Sequence, residues 1–116
     1  MTHKDCIFCK IAAKEIPVHS AYEDEDILAF PDLNPVAPVH LLVIPKKHIE
    51  HLLAAQEEDQ QLLGRLLAKI PVIARQNGLE EDGFRVVANT KDNGGQTVYH
   101  LHFHLLGGRR FHWPPG

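Results

Sequence analysis

The 116-residue sequence has only two cysteines, one tryptophan and one methionine, and it contains no long apolar run. A transmembrane helix needs about 20 predominantly apolar residues, so we expect no membrane span. The start of the chain, Met1–Asp5, has no apolar segment behind it, and we expect a cytoplasmic protein without a signal peptide. Basic residues are scattered apart from Lys46–Lys47 and Arg109–Arg110, and the net charge is −3. This charge pattern argues against a nucleic-acid partner.

The two cysteines, Cys6 and Cys9, have the spacing C-x-x-C. This spacing is typical of a metal-binding pair or a redox motif. A thioredoxin-like motif lies in a βαβ unit, which the N-terminal sequence does not predict. Two thiolates do not complete a tetrahedral zinc site, so a metal site needs two further ligands from elsewhere. Two free, buried cysteines are the alternative interpretation.

The hydrophobic pattern predicts a single α+β domain over residues 1–116. A short helix is predicted over 9–14, and strands over 18–22, 27–30, 40–44, 84–89 and 98–106. A long helix follows the acidic residues 57–59 and stops near Gly78; its apolar stripe is Leu62, Leu66, Ile70 and Ile73. Pro71 predicts a kink or two helical pieces. Most connections are too short for parallel crossovers, which predicts a largely antiparallel sheet.

Three histidines alternate with apolar residues in the order His100, Leu101, His102, Phe103, His104, Leu105. Alternate residues of a β-strand point to the same face, so the pattern predicts a row of three imidazoles. A neutral imidazole carries a lone pair near pH 7, so the central ring could attack phosphorus while its neighbours hold the oxygens and the leaving group. The alternative is the polar, solvent-exposed face of an edge strand.

The loop 90–97 precedes this row. Its Asn93-Gly94-Gly95 turn predicts backbone N–H groups that point into one concavity, and Gln96 and Thr97 add side-chain donors. Such a nest binds phosphate oxygens. A plain hairpin turn is the alternative, because Asn-Gly is a strong turn signal by itself.

The segment 95–109 contains the pattern His-φ-His-φ-His-φ-φ, where φ is apolar, and it resembles the signature of the histidine triad (HIT) superfamily. Further segments resemble its Hint branch: 7–8, 10–11, 15–17, 37–40, 43–49 and 112–116. The resemblance covers nearly the whole chain. It implies an α+β fold with a five-stranded antiparallel sheet, one long helix and one short helix. It also implies a homodimer with a continuous sheet, in which the tail 107–116 packs at the active site.

By this resemblance the chain is a purine nucleoside phosphoramidase or nucleotide hydrolase that forms a nucleotidyl-histidine and needs no catalytic cofactor. The implied catalytic residues are His102, His104, His100 and His40. The implied nucleotide-binding residues are Phe8, Ile11, Phe30, Asp32, Leu33, Asn89, Gly95, Gln96, Thr97, His102, His104 and Trp113. Asp32 would hold the ribose hydroxyls, with loop capping as the alternative. The apolar members would otherwise be interpreted as core.

Zinc-containing members of the family imply a structural zinc on Cys6, Cys9, His48 and His100. His48 and His51 form the competing histidine pair. Two other classes of function stay open at this point. One is a metal-dependent nucleotide hydrolase in which His100 and His102 share a catalytic ion. The other is a nucleotide-binding protein without catalytic activity.

Overall fold

The computed structural model describes residues 5–116. Residues 1–4, on which the prediction about a signal peptide partly rests, lie outside the described residues. Short 3-10 turns at Leu52–Ala54 and Glu57–Asp59 precede the long helix. The elements are α1 (Ile7–Ala12), β1 (Tyr22–Glu23), β2 (Ile27–Pro31), β3 (Val39–Pro45), α2 (Gln60–Gln76), β4 (Phe84–Val87), α3 (Lys91–Gly94) and β5 (Phe103–Gly107). This α+β composition confirms the predicted fold class.

The five strands form one antiparallel sheet in the order β1-β2-β3-β5-β4. The predicted antiparallel sheet is therefore confirmed. In this register His104 lies opposite Leu42 of β3 and Val87 of β4. Among the described strands β4 pairs with β5 alone, so its second edge is open. No helix within residues 5–116 is long and apolar enough to cross a bilayer.

The two faces of the sheet carry separate apolar clusters. On one face the predicted stripe of α2 packs against the apolar residues of the triad segment, Leu101, Phe103 and Leu105. On the other face α1 contributes Phe8 and Ile11 to a smaller cluster with β2 and β3. The alternation of the triad segment divides its side chains between the faces, and it places the histidines on the side of α1.

Both predicted helices differ from the structure in detail. Helix α1 begins at Ile7 rather than Cys9, because the Cys6 thiol caps it by accepting the Cys9 N–H at 3.3 Å. Helix α2 is continuous through Pro71, so the prediction of two pieces is wrong. Pro71 and Leu67 lie on the exposed face of α2, where the carbonyl crowded by the proline can face water.

Three predicted strands are shorter in the structure. Strand β1 covers only Tyr22–Glu23, since its pairing with β2 begins at Tyr22, and the preceding segment is exposed. Strand β4 ends at Val87 and not at residue 89. Strand β5 starts at Phe103, so residues 98–102 are irregular. The prediction of one strand that carries the whole histidine row is therefore wrong.

Candidate active site

The histidine segment reaches its position through local hydrogen bonds as well as strand pairing. The Leu101 N–H donates to the Ile49 carbonyl at 2.6 Å, which anchors the irregular chain before β5. His100 is 0 % exposed and His102 is 6 % exposed, while His104 is half-buried. The alternative interpretation of the histidine row, as the solvent-exposed polar face of an edge strand, is therefore wrong. Each of the three rings lies in a different environment.

The ring of His102 has a defined proton position. Its Nδ1 lies 2.7 Å from the carbonyl oxygen of His100, and a carbonyl can only accept, so Nδ1 carries the hydrogen. In the neutral ring the lone pair then resides on Nε2. The Phe8 ring packs edge-to-face on the imidazole, with the ring centroids 5.2 Å apart. His102 therefore presents a held, unprotonated nitrogen.

His104 is held by a second histidine. The Val36 N–H donates to His40 Nδ1 at 3.1 Å, so the hydrogen of the neutral His40 ring is on Nε2. That Nε2 lies 2.9 Å from His104 Nδ1 and donates to it. The remaining nitrogen of His104, Nε2, consequently carries a hydrogen and is a donor. The centroids of the His104 and His102 rings are 5.1 Å apart. The Nε2–H donor of His104 and the Nε2 lone pair of His102 therefore belong to neighbouring rings.

The pKa values of this pair agree with neutral rings. Burial lowers the pKa of His40, although the nearby Asp32 carboxylate opposes the shift. Burial lowers the pKa of His104 to about 4, and the neighbouring His102 and His40 add to the effect. At pH 7 His104 is therefore a neutral hydrogen-bond donor rather than an imidazolium.

Asp32 joins this pair from the loop after β2. Its Oδ2 lies 3.4 Å from His40 Nε2, and its Oδ1 accepts the Asn34 N–H at 2.8 Å. Asp32 therefore caps its loop, as the alternative interpretation predicts, and it also contacts His40. Asp32, His40 and His104 converge as metal ligands would. However, His40 Nε2 carries a proton because Nδ1 accepts from Val36, so the geometry is that of a hydrogen-bond chain.

A second group of side chains lies behind the triad. Cys6 Sγ is 3.3 Å from His100 Nδ1, and Cys9 Sγ is 3.3 Å from His48 Nδ1. The four ligand atoms lie within 4.8 Å of one another. The His100 Nε2 donates to the Pro45 carbonyl at 2.8 Å, which leaves Nδ1 facing the thiols. Two thiols and two oriented imidazoles match the donor set of a closed tetrahedral zinc site.

This arrangement bears on two alternatives. His51 is outside the group; its ring packs on Tyr99, and its buried Nδ1 has no hydrogen-bond partner among the described residues. The histidine that joins His48 beside the two cysteines is therefore His100 and not His51. His100 Nδ1 faces the Cys6 thiol and Nε2 faces the Pro45 carbonyl. The geometry therefore does not favour a catalytic metal ion shared by His100 and His102. Burial also raises the pKa of the Cys6 thiol.

The predicted nucleoside pocket is divided in the structure. Phe8, Ile11 and Phe30 are buried together, with the Phe8 and Phe30 rings edge-to-face at 5.5 Å. Leu33 is 93 % exposed in the loop after β2, and Asn89 is half-buried beyond β4. The structure therefore brings the three buried residues to the side of His102, and it leaves Leu33 without packing around it.

The predicted phosphate nest is different in the structure. Residues 91–94 form the one-turn helix α3, and the N–H groups of Gly95 and Gln96 donate to the Asp92 and Lys91 carbonyls at 3.0 and 3.1 Å. The buried Gln96 amide bonds to the backbone of residues 50, 91 and 98. The prediction of free donors at both residues is therefore wrong. The Thr97 side chain is exposed.

The tail 107–116 contacts β4 through Arg85. The guanidinium groups of Arg85 and Arg109 both lie over the Phe111 ring, at 5.2 and 4.3 Å from its centroid. Arg85 also donates to the His112 carbonyl at 2.8 Å, while Trp113 is 82 % exposed.

Sequence reasoning missed the backbone contact of Val36 with His40, because an apolar loop residue carries no sequence signal for its N–H.

The HIT domain family model matches residues 13–111, which include the triad and His40. The chain belongs to the HIT family. It is 58 % identical over 113 residues to an uncharacterized HIT-like protein of Synechococcus elongatus, covering 97 % of this chain and 98 % of that protein. It is 54 % identical over 112 residues to a 14 kDa zinc-binding protein of Zea mays, covering 95 % of this chain and 87 % of that protein.

Solved structures agree with this assignment. The crystal structure of a HIT family hydrolase from Legionella pneumophila superposes with a TM-score of 0.94 at 51 % identity. The match covers 97 % of this chain and 100 % of that chain. The five-stranded sheet and the triad thus belong to a shared HIT fold, while membership in the Hint branch stays a prediction.

Proposed function

We propose that this HIT protein hydrolyses purine nucleoside phosphoramidates through a covalent nucleotidyl-His102. The observation that carries the proposal is the tautomer of His102, whose Nδ1–H is bound to the His100 carbonyl and whose Nε2 keeps its lone pair. A nucleophilic imidazole needs this state. The Legionella relative is described as a hydrolase, which supports a hydrolytic role for the same fold.

The reaction would proceed in two displacements. His102 Nε2 attacks phosphorus, the new N–P bond forms, and the bond from phosphorus to the amine breaks as the amine takes up a proton from solvent water, which the attacking water of the second step returns. Water then cleaves the nucleotidyl-histidine and gives the nucleoside monophosphate and free His102. His104 Nε2–H would donate to a phosphate oxygen, because its Nδ1 is occupied by His40. Phosphoryl transfer depends mainly on such positioning and charge stabilisation.

The nucleoside would bind on the side of α1. The edges of Phe8 and Phe30 would contact the purine, and Leu33 would close over it from the loop. The Asp32 carboxylate is a suitable acceptor for a ribose diol. Asp32 Oδ2 lies 3.4 Å from His40 Nε2, near the triad, and this proximity supports a role for the carboxylate in binding the ribose of a nucleoside 5′-phosphate.

We propose that Cys6, Cys9, His48 and His100 hold a structural zinc. The convergence of their ligand atoms and the hydrogen bond that orients His100 support this assignment. The maize relative is named a zinc-binding protein, which agrees with it. A bound zinc would cross-link the start of α1 to the segment that carries the triad. The nucleophile His102 is outside the four ligands, so the metal would stabilise the site rather than act in it.

We also propose a homodimer that joins two sheets at β4. The second edge of β4 is open among the described strands, and its side chains Phe84 and Val86 are exposed. An open, apolar edge strand is a pairing surface. The exposed Trp113 lies in the tail beside it and would border the leaving group in the partner's site.

Turnover of adenosine and guanosine 5′-phosphoramidates tests the proposed function. His102→Ala should lower kcat by at least about 10³-fold, because the covalent route is lost. His19→Ala is the matched control, since this histidine is exposed and outside the triad. Intact-protein mass spectrometry after a rapid quench in alkaline denaturant, which preserves the N–P bond, should show a nucleotidyl adduct on the parent and none on His102→Ala. Binding of the nucleotide without turnover by the parent would favour the non-catalytic alternative.

A further inference from the structure

The residue Arg109 lies in the tail, outside every group named above as catalytic or metal-binding. We propose that Arg109 is a positioning residue that fixes the tautomer of His104 through Val36 and His40. This inference rests on the proposed role of His104 as a donor to the substrate phosphate. It assigns the tail a function within its own protomer.

The link is a chain of three hydrogen bonds. Arg109 Nε–H donates to the Val36 carbonyl at 3.1 Å, and the Val36 N–H donates to His40 Nδ1 at 3.1 Å. His40 Nε2–H then donates to His104 Nδ1 at 2.9 Å. Both polar backbone groups of Val36 are therefore engaged, one by the tail and one by the active site.

The backbone of Val36 makes the hydrogen bonds that hold this loop residue to the tail and to His40. Its side chain is 60 % exposed, and it lies in the loop between β2 and β3 that contains Pro35 and Pro38. A loop residue with a largely exposed side chain depends strongly on its backbone hydrogen bonds. The Arg109 contact thus restrains the N–H group that selects the His40 tautomer.

The tail is built to deliver this arginine. Gly108 has φ +90, and a Cβ there would lie 2.8 Å from Pro38 Cβ, so glycine allows the tail to approach the loop closely. The Arg109 guanidinium also lies 4.3 Å from the centroid of the Phe111 ring and donates from Nη1 to the Arg110 carbonyl at 3.0 Å. These contacts leave Nε–H directed at Val36.

Release of Val36 would change the proton positions in the site. Without the Val36 N–H, His40 Nδ1 can carry the hydrogen, and His40 Nε2 then becomes an acceptor. His104 Nδ1 would in turn have to carry its hydrogen, and its Nε2 would lose the proton that faces the phosphate. A tautomer change at His40 therefore converts His104 from a donor to an acceptor toward the substrate.

The test uses the full-length protein with ¹⁵N-labelled histidine. Long-range ¹H–¹⁵N NMR reports which ring nitrogen is protonated in His40 and His104. In the parent we expect Nε2–H at both rings. Arg109→Met, which keeps the aliphatic length but removes the donors, should shift both ring spectra toward a mixture of tautomers. Arg110→Met, an equal loss of charge at the exposed neighbour, should leave the spectra as in the parent.

Kinetics give the second measurement. Arg109→Met should lower kcat by about fivefold, the equivalent of one hydrogen bond, and leave KM within about twofold. Val36→Pro removes the N–H itself and should reproduce the NMR shift with Arg109 intact, which tests the link from Val36 to His40. Arg109→Leu, which also lacks the donors, replaces Arg109→Met if that variant does not fold. Parent-like ring spectra in Arg109→Met would overturn the proposal, whatever Val36→Pro shows. The NMR result needs no turnover, so it is independent of whether phosphoramidates are the substrate.

Discussion

The partly buried ring of His104 predicts a loss of stability in mild acid. Its ordinary pKa of 6.5 falls to about 4 in the fold, first because burial disfavours the charged form and then because His102 and His40 are close. As the pH falls below 6.5, the unfolded chain binds a proton at this ring and the folded chain does not. The contribution of His104 is thus fully present above about pH 6.5 and is lost as the pH falls toward 4.

The magnitude follows from the two pKa values. The difference between 6.5 and about 4 corresponds to about 3 kcal/mol of differential stabilisation. The ring is only half-buried, so solvent screening reduces this figure. We expect about 1–2 kcal/mol of the free energy of unfolding to disappear between pH 7 and pH 4.5 on account of this ring.

Urea unfolding of the parent and of His104→Gln at both pH values measures the effect. The parent should lose about 1–2 kcal/mol more than the variant between pH 7 and pH 4.5, because glutamine does not titrate. Protonation of groups remote from residue 104 is common to both proteins and cancels in the difference, while the response of His40, which is hydrogen-bonded to His104, is part of the measured effect. His19→Gln, a change at an exposed histidine, should behave like the parent. Equal losses in the parent and His104→Gln would refute the reasoning.

Three further predictions concern the metal, the core and the tail. Protein expressed with zinc should contain about one zinc per chain, and chelation should lower Tm more than kcat; elemental analysis without zinc would remove the site. Gly107→Ala should destabilise by about 1–3 kcal/mol in thermal or urea unfolding, because the new Cβ would lie 2.5 Å from Leu79 Cδ2; Gly64→Ala, with open space around it, is the control and should not destabilise. Deletion of residues 111–116 should change the relative hydrolysis rates of amines of different size, and unchanged relative rates would contradict a role of Trp113 at the leaving group.

The features that were predictable from sequence are those with a period. The stripe Leu66, Ile70 and Ile73 has helical spacing, and all three residues are buried in α2. Glycine at residue 78 adopts φ +74 directly after the helix, as a C-terminal stop requires. Alternation in the triad segment separated the apolar residues from the histidines even where no strand forms. Periodicity predicts burial because packing against a neighbouring element buries every second side chain of a strand and every third or fourth side chain of a helix.

The features that sequence did not predict depend on individual backbone groups. The start of β5 at Phe103 follows from anchoring of the preceding segment to Ile49, a residue far away in the chain. The donors at Gly95 and Gln96 are engaged because α3 forms and supplies carbonyls at the right distance. Neither event leaves a mark on the residue types. A pattern of side chains does not state which backbone N–H groups stay open to a ligand.

The same limit explains why three similar histidines have three different chemistries. The backbone carbonyl of Pro45 fixes the proton of His100 on Nε2 and turns its Nδ1 to the thiols. The carbonyl of His100 fixes the proton of His102 on Nδ1 and leaves a lone pair. The Val36 N–H acts through His40 and leaves His104 a donor. Residue type supplies an imidazole at each position, but a single backbone group decides whether that imidazole faces the thiols, presents a lone pair or donates a hydrogen bond.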